Sequence, residues 1–173
     1  FLRMTESHSK HILSIMVDNE PGVLARVVGL FSGRGYNIES LSVSEVDSDK
    51  FLSRVTIVTS GNKNIIDQIK AQLLKLIPVH NLVDISELKT FIGKELILIK
   101  LDVKKKSVSK IYKYVKDYEA KILFDNRTEM IIEFSGTPSE ISSMIKKLRS
   151  FNIIELTRSG LVSIALGKDY IKK

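Results

Sequence analysis

The alternation of apolar and polar positions divides the chain into short elements that recur twice in the same order. His11–Asp18 carries a continuous apolar run (Ile12, Leu13, Ile15, Met16, Val17), which predicts a central strand. After Pro21 and Gly22, the apolar residues Leu24, Val27, Val28 and Phe31 mark one helix face, with Pro21 at its first turn and Gly33/Gly35 at its exit. Asn37–Val46 and Leu52–Thr59 predict two strands joined by the turn-forming Asp47-Ser48-Asp49-Lys50. Ile66, Ile69, Leu73 and Leu76 form the stripe of a second helix ended by Pro78, and Val79–Glu87 predicts a strand.

The second half repeats that order. Glu95–Val103 reads as a strand with Ile97, Ile99, Leu101 and Val103 on one face. Ser107–Tyr118 reads as a helix with Val108, Ile111, Tyr112 and Val115 inward. Lys121–Phe124 and Met130–Phe134 predict a hairpin around Asp125-Asn126-Arg127-Thr128. Thr137-Pro138-Ser139-Glu140 has the form of a capping box, followed by the stripe Ile141, Met144, Ile145, Leu148. Ile153–Leu166 supplies the closing strand or strands, with a break near Ser159-Gly160. The prediction is an α+β chain of two tandem ferredoxin-like βαββαβ units, residues 11–88 and 94–168, joined near Leu88–Lys94. That fold hosts many functions and settles none.

Composition narrows the choice. The 173 residues include no Cys, which excludes disulfides, thiolate metal sites and a Cys nucleophile. No apolar run reaches the roughly 20 residues of a membrane-spanning helix. The N-terminal stretch lacks the apolar core of a signal peptide, and residues before Met4 are set aside as an upstream extension. A soluble, cytoplasmic protein is expected. The excess of 27 Lys+Arg over 20 Asp+Glu gives +7. Lys104-Lys105-Lys106 is continued by Lys110, Lys113 and Lys116, and these last three recur every third residue opposite the apolar stripe, which reads as the wet face of the helix. The strands Phe51–Ile57 and Met130–Phe134 are aliphatic where a ferredoxin-like RNA binder needs aromatic stacking platforms, which argues against nucleic acid.

Catalytic groupings are thin. His8 and His11 lie in the N-terminal tail, His80 starts a strand, and none shares metal-ligand spacing with another His. Gly33-x-Gly35 falls at a helix exit, whereas a phosphate-cradling loop opens a helix. The turn carboxylates Asp47, Asp49, Asp125 and Glu129 read as solvent-facing. No catalytic residue and no metal site is expected.

Asp18-Asn19-Glu20-Pro21-Gly22-Val23-Leu24 is the informative segment, a strand end followed by a tight loop and a helix start. The first N–H groups of a helix can receive a carboxylate, Gly22 lets a ligand approach, and the Asn19 carbonyl can accept from an ammonium. Together these suit a free α-amino acid. On the residues alone the simpler alternative, Asn19 as a helix cap and Gly22 as relief of crowding, is favoured.

Asn19-x-x-Gly22-x-Leu24, followed by Arg26-Val27-x-Gly29-Leu30-Phe31-Ser32-x-Arg34-Gly35-Tyr36-Asn37-Ile38-Glu39-Ser40-Leu41, resembles the ACT domain of the regulatory small subunits of acetohydroxyacid (acetolactate) synthase. Ser53-Arg54-Val55-Thr56-Ile57, Glu95-x-x-Leu98-Ile99-Lys100, Ser135-Gly136-Thr137 and Arg158-Ser159-Gly160 are also similar to that family. The resemblance runs over residues 11–168 and implies a non-catalytic regulator. Such a subunit activates a catalytic large subunit and confers feedback inhibition by a branched-chain amino acid, usually valine. Thiamine diphosphate, Mg2+ and FAD are expected in that partner and no cofactor in this chain. The positions matching the effector site are Asn19, Gly22, Val23, Leu24, Asn37 and Ile38; the second half has no Asn-x-x-Gly loop and receives none. The alternatives are a stand-alone ACT-type amino-acid sensor with another partner and a tandem RNA-binding protein.

The topology separates the two asparagines. A helix of roughly 13 residues between them sets Asn19 and Asn37 about 20 Å apart, beyond the span of one amino acid. If both hold one ligand they come from two chains, which predicts a homodimer with effector sites at the ACT–ACT interface, paired through the second strand.

Overall fold

In a computed structural model the described residues are 9–104, 108–168 and 171. His8, Lys105, Lys106 and Ser107 lie outside them. The chain forms β1 (Ser9–Asp18), α1 (Val23–Ser32), β2 (Ser40–Asp47), β3 (Leu52–Gly61), α2 (Lys63–Leu73) and β4 (Val79–Asp84), closed by a 3-10 turn over Ile85–Glu87. Then come β5 (Phe91–Asp102), α3 (Ser109–Asp117), β6 (Lys121–Asp125), β7 (Glu129–Gly136), α4 (Pro138–Leu148), β8 (Ile153–Arg158) and β9 (Val162–Ala165). None of the described helices is long and apolar enough to cross a membrane.

Both halves have the ferredoxin-like order. The first sheet runs β2-β3-β1-β4; the second runs β6-β7-β5-β8 with β9 also paired to β5, and the neighbours along the two runs are antiparallel. Alternation along β1 and β3 sends Leu13, Ile15, Val17, Val55 and Ile57 to the helix side, where Val23, Val27 and Phe31 of α1 and Ile66, Ile69 and Leu73 of α2 complete the first core. In the second core Ile97, Ile99, Leu101, Met130 and Ile132 meet Ile111 of α3 and Ile141, Met144 and Leu148 of α4. The predicted capping box is formed: Thr137 accepts from the Glu140 N–H and the Glu140 carboxylate accepts from the Thr137 N–H, with Pro138 leading α4.

By compactness, the described residues of Phe1–Ile92 and Leu161–Lys173 form one unit and Gly93–Gly160 the other. The sequence division at residues 94–168 keeps β9 with the second half, and β9 pairs with β5; by compactness it is grouped with the first unit. Beyond Gly160 (φ +79°) the chain leaves β8, and Leu166 donates to the Thr90 carbonyl at 3.1 Å. Leu161, Ser163 and Ala165 turn inward, and Ile171 joins Met16 and Leu52 in a small apolar cluster with Val83 against it. Arg54 ties this segment down: its Nε donates to Ser14 Oγ at 2.8 Å and its Nη2 to the Ser163 carbonyl at 2.9 Å. Its burial lowers the guanidinium pKa. The first sheet therefore has helices on one face and the returning C-terminal segment on the other.

Several boundaries move, β5 for one beginning at Phe91, inside the predicted Leu88–Lys94 joint. α1 begins at Val23, leaving Pro21 in the preceding turn. β2 begins at Ser40, because the Gly33, Arg34 and Tyr36 N–H groups bond back to the end of α1 and the chain is still in its exit turn. β4 ends at Asp84, whose carboxylate accepts from the Ser86 N–H at 3.1 Å and turns the backbone out of the ladder.

Candidate functional site

The loop between β1 and α1 is anchored at its base. Asp18 donates to the Pro78 carbonyl at 2.9 Å and Asn19 to the Phe51 carbonyl at 2.6 Å. Gly22 is the N-cap of α1 in the left-handed conformation (φ +84°), and no side chain caps the helix. The favoured sequence reading, Asn19 as the cap, therefore does not hold: its backbone N–H is held by the Phe51 carbonyl in the turn before β3, while Gly22 takes the capping position. The first-turn N–H groups of Leu24 and Ala25, which lack intrahelical partners, stay uncapped by side chains. Val23 N–H reaches the Glu20 carbonyl at 3.3 Å, and its side chain is buried in the core. Leu24 is exposed at the mouth of the loop. A Cβ built on Gly22 meets nothing within 4 Å, so the space before the helix is open. The helix end thus offers N–H donors and a positive dipole end to an anion.

Asn37 and Ile38 lie elsewhere. The Asn37 carbonyl accepts from Thr59 Oγ1 at 2.7 Å, and Ile38 packs half-buried on the first core. The next residue, Glu39, bonds to the Ser60 hydroxyl and to Lys10 Nζ at 3.0 Å. The Ser60 hydrogen bond, then that to Lys10, hold its carboxyl below the usual glutamate value. Asn19 is bonded at Phe51, in the turn just before β3, and Asn37 at Thr59 within β3; the run from Leu52 to Thr59 spans about 23 Å, so the anchors lie towards opposite ends of that strand. Within one chain Asn19, Gly22, Val23 and Leu24 form one group and Asn37 with Ile38 another.

One polar cluster escaped the sequence reading. His11 is part of β1, not a tail residue, and is buried: Nδ1 lies 2.7 Å from Asp84 Oδ2 and Nε2 lies 2.8 Å from Ser9 Oγ. Ser86 Oγ donates to Asp84 Oδ1 at 2.6 Å. Glu87 brings a third carboxylate-or-imidazole ligand atom within 4.8 Å of the other two, a grouping able to surround a cation. Both Glu87 oxygens already accept from Lys70 Nζ at 3.2 Å. A cation is thus in place, and the group reads as an ion-pair network pinning β1 to the end of β4. The signal available in the sequence was the phase of His11, which shares the inward alternation of Leu13 and Ile15.

Comparison with known proteins gives the family. Residues 13–81 match the AHAS small subunit-like ACT domain, and residues 94–167 match the small subunit of acetolactate synthase. A probable acetolactate synthase small subunit of Archaeoglobus fulgidus is 38% identical over 158 residues, covering 91% of this chain and 98% of that one. The chain belongs to the acetolactate synthase small-subunit family. The small subunit of Mycolicibacterium smegmatis is 37% identical, covering 95% of each chain. The crystal structure of the small subunit from Thermotoga maritima superposes with a TM-score of 0.84 at 32% identity, over 92% of this chain and 99% of that one. Membership makes this chain a regulatory subunit, the counterpart of a catalytic large subunit. The open helix end behind Gly22 belongs to the ACT domain of that family.

Proposed function

We propose that this subunit activates the acetolactate synthase large subunit and makes it sensitive to feedback inhibition by valine or another branched-chain amino acid. The observation that carries the reading is the uncapped N-terminus of α1 behind a left-handed Gly22 with open space before it. The N–H groups of Gly22, Val23 and Leu24 receive the effector carboxylate, and Val23 exchanges its long bond to Glu20 for that contact. Asn19 and Asn37 fix the polar ends of the effector, while Leu24 and Ile38 border its aliphatic side chain.

With about 23 Å of β3 between the two anchors, Asn37 and Ile38 come from a second copy if both asparagines hold one effector. A twofold homodimer then carries two equivalent sites. β2 is the edge of the first sheet and the natural place for the pairing. An effector bridging two chains stiffens the dimer, and the large subunit responds to the change. Pyruvate decarboxylation and transfer of the acetyl unit to a second 2-oxo acid take place in the large subunit, where thiamine diphosphate, Mg2+ and FAD reside, in the cytoplasm.

The test is acetolactate formation by the large subunit with and without this chain, at increasing valine, leucine or isoleucine. The reading expects activation by the chain and loss of that activation with at least one of the three. A large subunit equally active and equally insensitive with or without the chain contradicts it.

A further inference from the structure

The second unit presents a groove of about 320 Å³ lined by Ser142, Ile145, Lys146 and Arg149 of α4 and Arg158 of β8. Three cationic side chains converge there. Lys146 and Arg149 stand at the C-terminal end of α4, where basic residues suit the helix dipole. The dipole does not explain Arg158, which reaches the groove from another element. Nor does it dictate the direction of Lys146, since the adjacent Lys147 turns elsewhere, with its Nζ 5.6 Å and 4.7 Å from the ring centres of Tyr114 and Tyr118.

Arg158 is fixed in place. Its Nε donates to Glu95 Oε2 at 2.9 Å and its Nη2 donates to the same oxygen, while the Glu95 side chain is only 6% exposed. This single carboxylate offsets one of the three positive charges. Among the described residues neither Lys146 nor Arg149 has an ion-pair partner. The Ser142 hydroxyl donates to the Pro138 carbonyl and keeps its lone pairs, and Ile145 adds a short apolar wall. The Arg149 guanidinium fork and the Lys146 ammonium, beside an Arg158 already paired with Glu95, match carboxylates, which Arg binds in bidentate fashion.

We infer that this groove is where the second unit grips the large subunit, by receiving an acidic surface segment of that partner. The inference rests on the reading of the chain as a subunit that binds a catalytic partner. An effector-free face built of fixed and unpaired cations supplies the orientation and the association rate that charge complementarity gives to an interface.

The experiment measures association of the full chain with the large subunit by calorimetry at several salt concentrations. K146E/R149E leaves the Arg158–Glu95 pair intact and changes only exposed positions. Its affinity should fall about tenfold or more, with a flatter salt dependence. K110E/K113E makes the same change in charge on the exposed side of α3 and should shift affinity by no more than about twofold. Wild-type affinity and salt dependence in K146E/R149E, with circular dichroism unchanged, overturn the groove assignment. Equal losses in the two variants also overturn it, as they show dependence on net charge alone. Failure of the wild-type chain to bind the large subunit, seen before any substitution, defeats the subunit reading itself and the groove with it.

Discussion

Asn19 and Asn37 are tied towards opposite ends of β3: the Asn19 N–H to the Phe51 carbonyl in the turn just before the strand, and the Asn37 carbonyl to the Thr59 hydroxyl within it. At about 3.3 Å per residue no free amino acid bridges the two within a chain. If both hold one effector, as proposed, effector binding follows the dimer. On dilution through the dimer dissociation range, followed by sedimentation velocity, valine binding in equilibrium dialysis should fall in step with the dimer fraction. Monomers that bind valine with undiminished affinity would show that Asn37 is not part of the pocket.

Gly22→Asp and Gly22→Ala separate strain from charge. Both place a side chain at φ +84°, at a cost of about 1 kcal/mol, into space where a Cβ meets nothing within 4 Å. Urea denaturation should therefore give similar, small stability losses for the two. Only the Asp variant sets a negative charge against the incoming carboxylate, so it should lose valine binding while the Ala variant retains part of it. Equal affinities for the two would remove the carboxylate from the α1 N-terminus.

Much of the fold was readable because local signals agree with one another. The continuous apolar run of β1, the alternation of β5, the helical stripes and the Thr137-Pro138-Ser139-Glu140 cap all specify structure over a few neighbouring residues. β9 was readable as a strand but its tie to Arg54 was not, since Arg54 and Ser163 are 109 residues apart. The His11–Asp84 pair hid for the same reason, spanning 73 residues. At the candidate site the loop chemistry suggested a carboxylate, yet the choice between ligand and cap depended on Gly22, not Asn19, occupying the capping position, a matter of backbone angle.

The buried His11–Asp84 pair should matter to stability. Asp84→Ala strips the His11 ring and the Ser86 N–H of their partner. A loss of about 2–3 kcal/mol is expected in chemical denaturation, the usual range when a hydrogen-bonded charged partner is removed from a buried site. A change below about 0.5 kcal/mol would show that water replaces the carboxylate there.

Thr137→Ala removes one half of the capping box of α4 and should cost about 1 kcal/mol. Thr137→Ser keeps the oxygen and should recover most of it, which distinguishes the cap from the lost methyl group.

Glu39 predicts a pH effect of definite sign. Its folded pKa lies below the ordinary value, through the Ser60 hydroxyl first and Lys10 second. The carboxylate contribution is therefore complete above the unfolded pKa and disappears as pH falls through the folded one. Glu39→Gln should reduce stability at neutral pH by less than about 1 kcal/mol, as expected of an exposed pair, and soften the acid limb of the stability curve. An acid limb identical to wild type would contradict this assignment.

The central claim is an effector pocket made by two chains, and subunit mixing tests it most directly. Gly22→Asp and Asn37→His chains, each unable to bind valine alone, are mixed in equal amounts and allowed to exchange subunits. A mixed dimer has one pocket with both lesions and one with neither, so random pairing should restore about a quarter of the wild-type valine sites in calorimetry. No recovered binding, with mixed dimers demonstrably present, would contradict a shared pocket.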